Sequence, residues 1–236
     1  MDYPTLLARL GEGSAHPGGF QATKELIERI KLPTGTKVLE VGCGTGRTAC
    51  YLASMGCDVT AMDRNEAMVE KAKRRARLSG APLRIVKADA ASMPFPDASF
   101  DVVFVESVTA FTKGSSALRE FWRVLKPGGI LYDREMALTR KIPAAHLREL
   151  QSFYGLLHLR TVPEWLKLVR QSRFQKLTVS RFSPMKQPLT DIDPFRVIEH
   201  NLLLNQDTIR MMTNNERLMN RFAKVMGSIV ITAWKS

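Results

Sequence analysis

The stretch Val38-Leu-Glu-Val-Gly-Cys-Gly-Thr-Gly46 decides the fold. "VLEV" reads as a buried strand, and three glycines follow within five positions. Glycine this dense marks a backbone that turns tightly or lets a ligand approach the main chain. Glu40 stands just before the turn, so the ligand must tolerate an acid.

On the N-terminal side a short helix and the loop "GEGSAHPGG" precede a predicted helix from about Thr23 to Lys31, with Thr23 as N-cap and Pro33 to Gly35 as the stop. On the C-terminal side strands and helices alternate. "KVLEV", "DVTAMD", "LRIVKAD", "FDVVFVES" and "ILYDREMAL" predict strands; "RTACYLASMG", "NEAMVEKAKRRARLSG" and "SSALREFWRVLKPGG" predict helices. Asn65 caps the second of these helices and Gly80 ends it. This alternation predicts an α/β fold with a mostly parallel sheet covered on both faces. Beyond residue 140, "PAAHLRELQSFYGLLHL" and "VPEWLKLVRQSRF" predict helices, with Pro163 starting the second. "QKLTVSRF" and "SIVITAWK" predict strands, and residues 183–226 a proline-containing loop that runs into helical sequence.

The ligand of the glycine turn follows by comparison of chemistries. A phosphate-binding loop needs a longer glycine spacing ending in lysine and a hydroxyl residue; here Arg47-Thr48 follow Gly46. A dinucleotide fingerprint needs a third glycine where Arg47 stands, and counting from Gly44 gives a G-x-G-x-x-A that starts too late after the strand. Glu40 would repel a pyrophosphate. It suits S-adenosylmethionine, which brings an ammonium and a sulfonium, and whose carboxylate can take N–H groups at the helix start. Asp63 ends the second strand, 21 residues after Gly42, where an acid can accept the ribose hydroxyls. Asp89 ends the third strand, placed for the adenine amino group with the Ala90 N–H toward the ring. Each acid alone reads as a solvated residue or a cap; three at successive strand ends point into one crevice.

"VLEVGCGTG", "VTAMDRNEAMVEKAKRRA", "KADAASMPFPDASFDVV" and "LREFWRVLKPGG" resemble the successive motifs of class I S-adenosylmethionine-dependent methyltransferases. "MPFPDASFDVV" is most similar to the small-molecule branch that includes the ubiquinone/menaquinone C-methyltransferases, as is "VPEWLKLVRQSRFQKLTVSRF", although Ser172-Arg173 replace a common Ala-Gly pair. The resemblance is close over about Lys37–Met136 and loose elsewhere. It implies a Rossmann-like, doubly wound, seven-stranded and mostly parallel sheet with helical cap insertions. It implies that Glu40, Gly42, Cys43, Gly44 and Gly46 hold the methionine end, Asp63 and Arg64 the ribose and adenine, Asp89 and Ala90 the adenine, and that Glu106 faces the methyl-transfer space. The expected division is an N-terminal helical lid at 1–35, a cofactor-binding core at 36–139, and the rest of the core with substrate-cap insertions at 140–236.

Composition sets the remaining bounds. The 236 residues are 44% hydrophobic and 25% charged, an ordinary globular balance. No apolar run is long enough to span a bilayer, and "MDYPTLLARLGEGSAHPGG" lacks a basic start with an apolar block, so a cytoplasmic protein is expected. Cys43, Cys50 and Cys57 are spaced by seven, which suits reduced thiols and no zinc pattern. The net charge of +12 is uneven: residues 140–236 carry 16 Lys and Arg against 7 Asp and Glu. A solubilising surface explains this as well as an anionic substrate, RNA or an anionic membrane surface do together.

Methyl transfer from a sulfonium is an in-line displacement, so alignment and desolvation supply much of the rate, and a base is needed only when the acceptor must lose a proton. His16, in "AHPGGF", and Glu106, followed by Ser107 after the fourth strand, are the candidate catalytic residues, with a cofactor-binding role favoured over a base for Glu106. His146, His158 and His200 read as structural or surface residues. The methionines Met211, Met212, Met219 and Met226 read as core contacts before pocket lining; Arg140, Arg148, Arg160 and Arg181 offer cations for a carboxylate or phosphate, although most of them read as a solvated face. The favoured acceptor is a small molecule, apolar or amphiphilic and compatible with an anionic group. RNA or protein methylation by the basic half is the alternative. "ESVT" after the fourth strand lacks the Asn/Asp-Pro-Pro-aromatic signature of DNA amino methylases, so no DNA partner is expected; no catalytic cysteine follows that strand and no separate RNA-binding module is present, so RNA is disfavoured. A cofactor-binding protein without transfer activity is the reading from another class. Monomer and homodimer both stay open.

Overall fold

The computed structural model describes residues 1–184 and 192–236. β1 (Lys37–Val41) forms at its centre because "KVLEV" offers aliphatic side chains to both faces; Val38, Leu39 and Val41 are fully buried. β2 (Asp58–Asp63) and β4 (Phe100–Glu106) flank it in parallel, and β3 (Leu83–Lys87) adds beside β2. β5 (Leu125–Leu138) lies parallel to β4. β9 (Met226–Trp234) runs antiparallel to β5 and pairs on its far side with β7 (Lys176–Val179). The order β3-β2-β1-β4-β5-β9-β7 is a seven-strand path, mostly parallel, as expected; two-residue strands β6 (Arg160–Thr161) and β8 (Ser183–Pro184) attach to β5 and β9.

Alternate side chains of β1, β4 and β5 divide between two cores. Leu39, Val103 and Leu131 pack with α5 (Gly114–Val124) and α7 (Val162–Gln171) through Leu118, Phe121 and Trp165. Val38, Val102 and Phe104 pack with α2 (Gly19–Ile30) and α3 (Arg47–Ser54) through Leu26, Ile27 and Leu52. α4 (Glu66–Ser79) follows β2 with Asn65 as its cap. Thr161 and Glu164 form a capping box at the start of α7, so Pro163 occupies a first-turn position.

Two sequence expectations are corrected. α5 ends at Val124, and residues 125–129, expected to close that helix, open β5 instead. α2 starts at Gly19, four residues earlier than expected, after Gly18 in the left-handed conformation (φ 89°). Thr23 is therefore not the cap: it is fully buried inside the helix, and its hydroxyl donates to Glu106.

α1 (Tyr3–Leu10), α6 (Ala144–Tyr154) and α8 (Gln206–Phe222) lie outside the alternating core. The last turn of α1 is held through its carbonyls. Lys71 donates to Ala8 O, the Glu199 N–H to Arg9 O (3.1 Å) and Arg196 to Leu10 O (2.9 Å). The segment that carries Arg196 and Glu199 is itself fastened by Asp193, which takes both terminal nitrogens of Arg75 (2.6 and 2.8 Å) with both side chains about 5% exposed or less. Arg75 also donates to Thr45 O of the glycine turn (2.8 Å).

β5 carries three consecutive charged residues in its buried interior. Arg134 faces Glu106, while Asp133 and Glu135 point to the opposite face, as strand alternation requires. Glu135 accepts the N–H groups of Val108 and Thr109 (2.9 and 2.7 Å), and Asp133 accepts the Thr109 hydroxyl (2.9 Å). Together they fix the turn after β4. Burial pushes the Asp133 carboxyl up to about 7. Burial first, and then the neighbouring Asp133, raises Glu135 well above the carboxylate range.

Two outcomes follow for stability. Asp193→Ala strands a buried guanidinium, and losing one partner of a buried pair costs about 3 kcal/mol or more. In a chain of this size that lowers Tm by roughly 6–12 °C, and Arg75→Met combined with Asp193→Leu recovers most of it in thermal unfolding. Asp133 binds a proton in the fold that the unfolded chain has released, from the ordinary carboxylate pKa up to about 7, so its contribution to stability falls as pH rises through that window. Asp133→Asn removes this dependence: its gain in Tm over the parent protein widens between pH 5 and pH 7.5, and parallel profiles would contradict the assignment.

Candidate active site

The carboxyl ends of β1, β2 and β4 and the loop after β3 open into one crevice, where α/β sheets place their ligands. It holds a cavity of about 260 Å³. The floor is the glycine turn. Gly42, Gly44 and Gly46 all have positive φ (70°, 53° and 76°), which only glycine adopts freely. The Gly42 and Cys43 N–H groups donate to Met62 O (2.8 and 2.9 Å) and pin the turn to β2. A Cβ on Gly42 would collide with Val108, whereas Gly44 faces open space. Gly46 is not on the cavity wall; it packs against Ala72 of α4. Cys43 is on the wall with its thiol pushed up by burial, so it stays protonated and donates to Gly44 O.

Glu40 lies in the wall, 6% exposed, and its Oε2 is buried without a hydrogen-bond partner. Burial, and then the charges of Glu106 and Asp63, push its carboxyl well above the usual range. A group so placed calls for a cation or an N–H donor from a ligand. Asp63 is oriented by two backbone donors, Gly44 N–H to Oδ2 (2.9 Å) and Asn65 N–H to Oδ1 (2.8 Å). Arg64 and Asp89 stand exposed on the rim, with Asp89 turned by the Ala91 N–H (2.7 Å), and Ala90 is buried in the wall.

His16 and Glu106 meet at the same cavity. Glu106, at the end of β4, is paired with Arg134 (2.8 Å) and accepts the hydroxyl of Thr23 (2.9 and 3.0 Å) and that of Thr48 (3.5 Å). The Nε2 of His16 stands 3.0 Å from Thr23 Oγ1 and 3.4 Å from Glu106 Oε2, and its side chain is 6% exposed. Burial lowers the His16 pKa more than Glu106 raises it, so the ring is neutral at pH 7. Thr23, Thr48 and Arg134 escaped the sequence reading. A charged residue within a strand expected to be buried is the one signal that marks Arg134.

α1 and the following loop roof the crevice through Pro4, Leu7, Ala8, Glu12 and Ala15; Val108, Phe111 and Thr112 close the side next to β4. Ser107 has positive φ (57°), and its Oγ is buried without a partner. The other histidines lie elsewhere: His146 bonds Arg221 (2.8 Å), His158 lines a second cavity and His200 is exposed. Met211 packs on Leu6, Leu10 and Leu202, Met226 is core and Met212 is exposed. Among the described residues no cluster suits a metal ion, and no helix is long and apolar enough to cross a membrane.

Residues 39–133 match the methyltransferase domain family. The uncharacterized methyltransferase YodH of Bacillus subtilis is 34% identical over 236 residues, 99% of each chain. Phosphoethanolamine N-methyltransferase 1 of Arabidopsis thaliana is 27% identical over 96% of this chain, which spans only 43% of that enzyme. The structure of Haemonchus contortus phosphoethanolamine N-methyltransferase 2, with phosphomonomethylethanolamine and S-adenosylhomocysteine, shares the fold: TM-score 0.77 at 19% identity, over 99% of this chain and 56% of that one. With a full-length methyltransferase relative and a crevice built on the glycine turn, this chain belongs to the class I S-adenosylmethionine-dependent methyltransferases, and S-adenosylmethionine is its cofactor.

Proposed function

We infer that the enzyme methylates a small molecule with an apolar or amphiphilic body, held beneath α1 beside His16. The observation that carries this is the roof: residues from Pro4 to His16 cover a cavity of about 260 Å³, below the common range for ligand pockets. Residues 1–35 act as a lid; α6 backs it through Phe153 and Tyr154 against Tyr3, and no described residue beyond Thr112 lines the cavity, contrary to the expected cover by the insertions after residue 140. A covered crevice disfavours RNA or a folded protein as acceptor. Relatives named for phosphoethanolamine methylation support the small-molecule class.

The cofactor supplies an electrophilic methyl group on a sulfonium. The unpartnered Oε2 of Glu40 takes its ammonium, and Gly44 lets the methionine portion lie against the backbone. Asp63 accepts the ribose hydroxyls; Ala90 and the rim residues Arg64 and Asp89 frame the adenine. Gly46 acts indirectly, by seating α3 and α4 together under the turn. Around the reacting atoms the lid excludes water and holds the acceptor in line. His16 turns Nε2 toward Thr23 and Glu106, which orients the ring; Nδ1, 3.5 Å from Pro17 O, is the nitrogen that would act on the acceptor. Glu106 is committed to Arg134, Thr23 and Thr48, so it serves as the positioning residue for His16 and not as a base.

Transfer of label from radioactive cofactor into a cell extract, separated into small-molecule, lipid, RNA and protein fractions, tests the acceptor class; label confined to RNA or protein would overturn it. Asp63→Ala removes a charged acceptor worth roughly 1.5–3 kcal/mol. Affinity for S-adenosylhomocysteine, read by calorimetry, falls roughly ten- to hundred-fold. His16→Ala lowers turnover about a hundred-fold with cofactor affinity kept. The parent enzyme is flat above pH 7 and loses activity only on the acid side, below the ordinary histidine pKa, because burial lowers that of His16; an acid limb that survives in His16→Ala would exclude the ring.

A further inference from the structure

A second and larger cavity, of about 620 Å³, lies beyond the turn that closes the cofactor crevice. The two share no lining residue. Phe111 of that turn faces the cofactor cavity; the adjoining Ala110 carbonyl accepts the N–H groups of Leu157 and His158 (3.0 and 3.1 Å), and His158 lines the second cavity. The site is formed where α6, β6 and α7 pack against the end of β5.

Its charges are unbalanced. Arg160 of β6 lines it with the guanidinium lying over the Trp165 ring (5.0 Å), and its Nη1 is buried with no hydrogen-bond partner. Lys141 and Lys167 add two exposed cations. Glu164 is the one carboxylate among the described lining residues, and its Oε2 already accepts both the N–H and the hydroxyl of Thr161 (2.8 Å each). His158 adds no charge at neutral pH, since burial and the nearby Arg160 hold its pKa down. Between these groups lie Leu138, Leu147, Leu159 and Leu168.

A buried guanidinium nitrogen without an acceptor is unfavourable, and an anion in the cavity supplies the acceptor. The volume falls within the range of small-molecule pockets. We propose that this cavity is a second ligand site, which takes a small organic anion: a carboxylate or phosphate group carried on an apolar body. The head group sits on Arg160 with Lys141 and Lys167, and the body lies on the leucines. The site is independent of the acceptor's identity and of the cofactor.

Calorimetry on the full chain, saturated with S-adenosylhomocysteine so that the first cavity is filled, tests this. The probes are octanoate, octyl phosphate, octan-1-ol and inorganic phosphate. At least one anionic amphiphile binds one to one, tenfold or more tighter than octanol and inorganic phosphate, and the better of the two identifies the preferred head group. Arg160→Gln weakens that binding at least tenfold with S-adenosylhomocysteine affinity unchanged. Should Arg160→Gln fold poorly, Lys141→Gln combined with Lys167→Gln changes only exposed side chains and gives the same reading. Absence of binding by both anions, octanol binding as tightly as the anions, or affinity retained in the variants would overturn the proposal.

Discussion

The pairing of Glu106 with Arg134 is the interaction on which the site depends. It joins the end of β4 to the middle of β5, 2.8 Å apart and almost fully out of water. The same carboxylate gathers Thr23 from α2 and Thr48 from α3, and Arg134 reaches on to Ala22 O (2.9 Å). Two strands and two helices therefore take their places from one ion pair. A charge buried in this way persists only when its hydrogen-bonding capacity is filled from several sides. Glu40, close enough to feel Glu106, has a backbone hydrogen bond from Ala49 but keeps Oε2 buried without a partner, which leaves that oxygen for a ligand.

The opposite face of β5 shows the same economy. Asp133 and Glu135 sit on either side of Arg134 in sequence and point away from it, gripping the Val108–Thr109 turn by its main chain and by a hydroxyl. That turn lines the cofactor cavity, and its Ala110 carbonyl takes the N–H of His158, which lines the second. A strand interior with three ionisable groups is expensive in hydration; each has at least one specific partner, although Asp133 Oδ1 and Glu135 Oε2 have none, and through these bonds β5 holds the turn after β4.

Much of this was legible in the sequence because its signals are local. The strand–helix alternation, the glycine turn and the acids at the ends of β1, β2 and β3 are each written in a few adjacent residues. Thr23 was misread for the converse reason: its partner lies 83 positions away, and a threonine near a helix start has an ordinary local explanation as a cap. Arg134 escaped likewise, since Glu106 is 28 positions distant and only the parallel pairing of β4 with β5 brings them opposite. Gly46 sat inside a ligand motif but spends its missing side chain on helix packing. The second cavity had no local signature. It is the space left where α6 and α7 meet β5, and the arginine that marks it, one of four that offer a cation for a carboxylate or phosphate, is not told from the others by its sequence neighbours.

The way α1 is fastened has a consequence for how such enzymes diversify. Part of its docking runs through the main-chain carbonyls of Ala8, Arg9 and Leu10, which every residue type carries, and the rest through side chains that do not line the crevice: Tyr3, Leu6, Leu10 and the Arg9 pair with Glu199. The side chains that α1 turns toward the crevice, Pro4 and Leu7 among them, take no part in these bonds. Evolution can therefore rewrite the inner surface of the roof, and with it the range of molecules admitted, without loosening the roof itself. Attachment and recognition are encoded in different atoms of one helix, so selection can act on them separately.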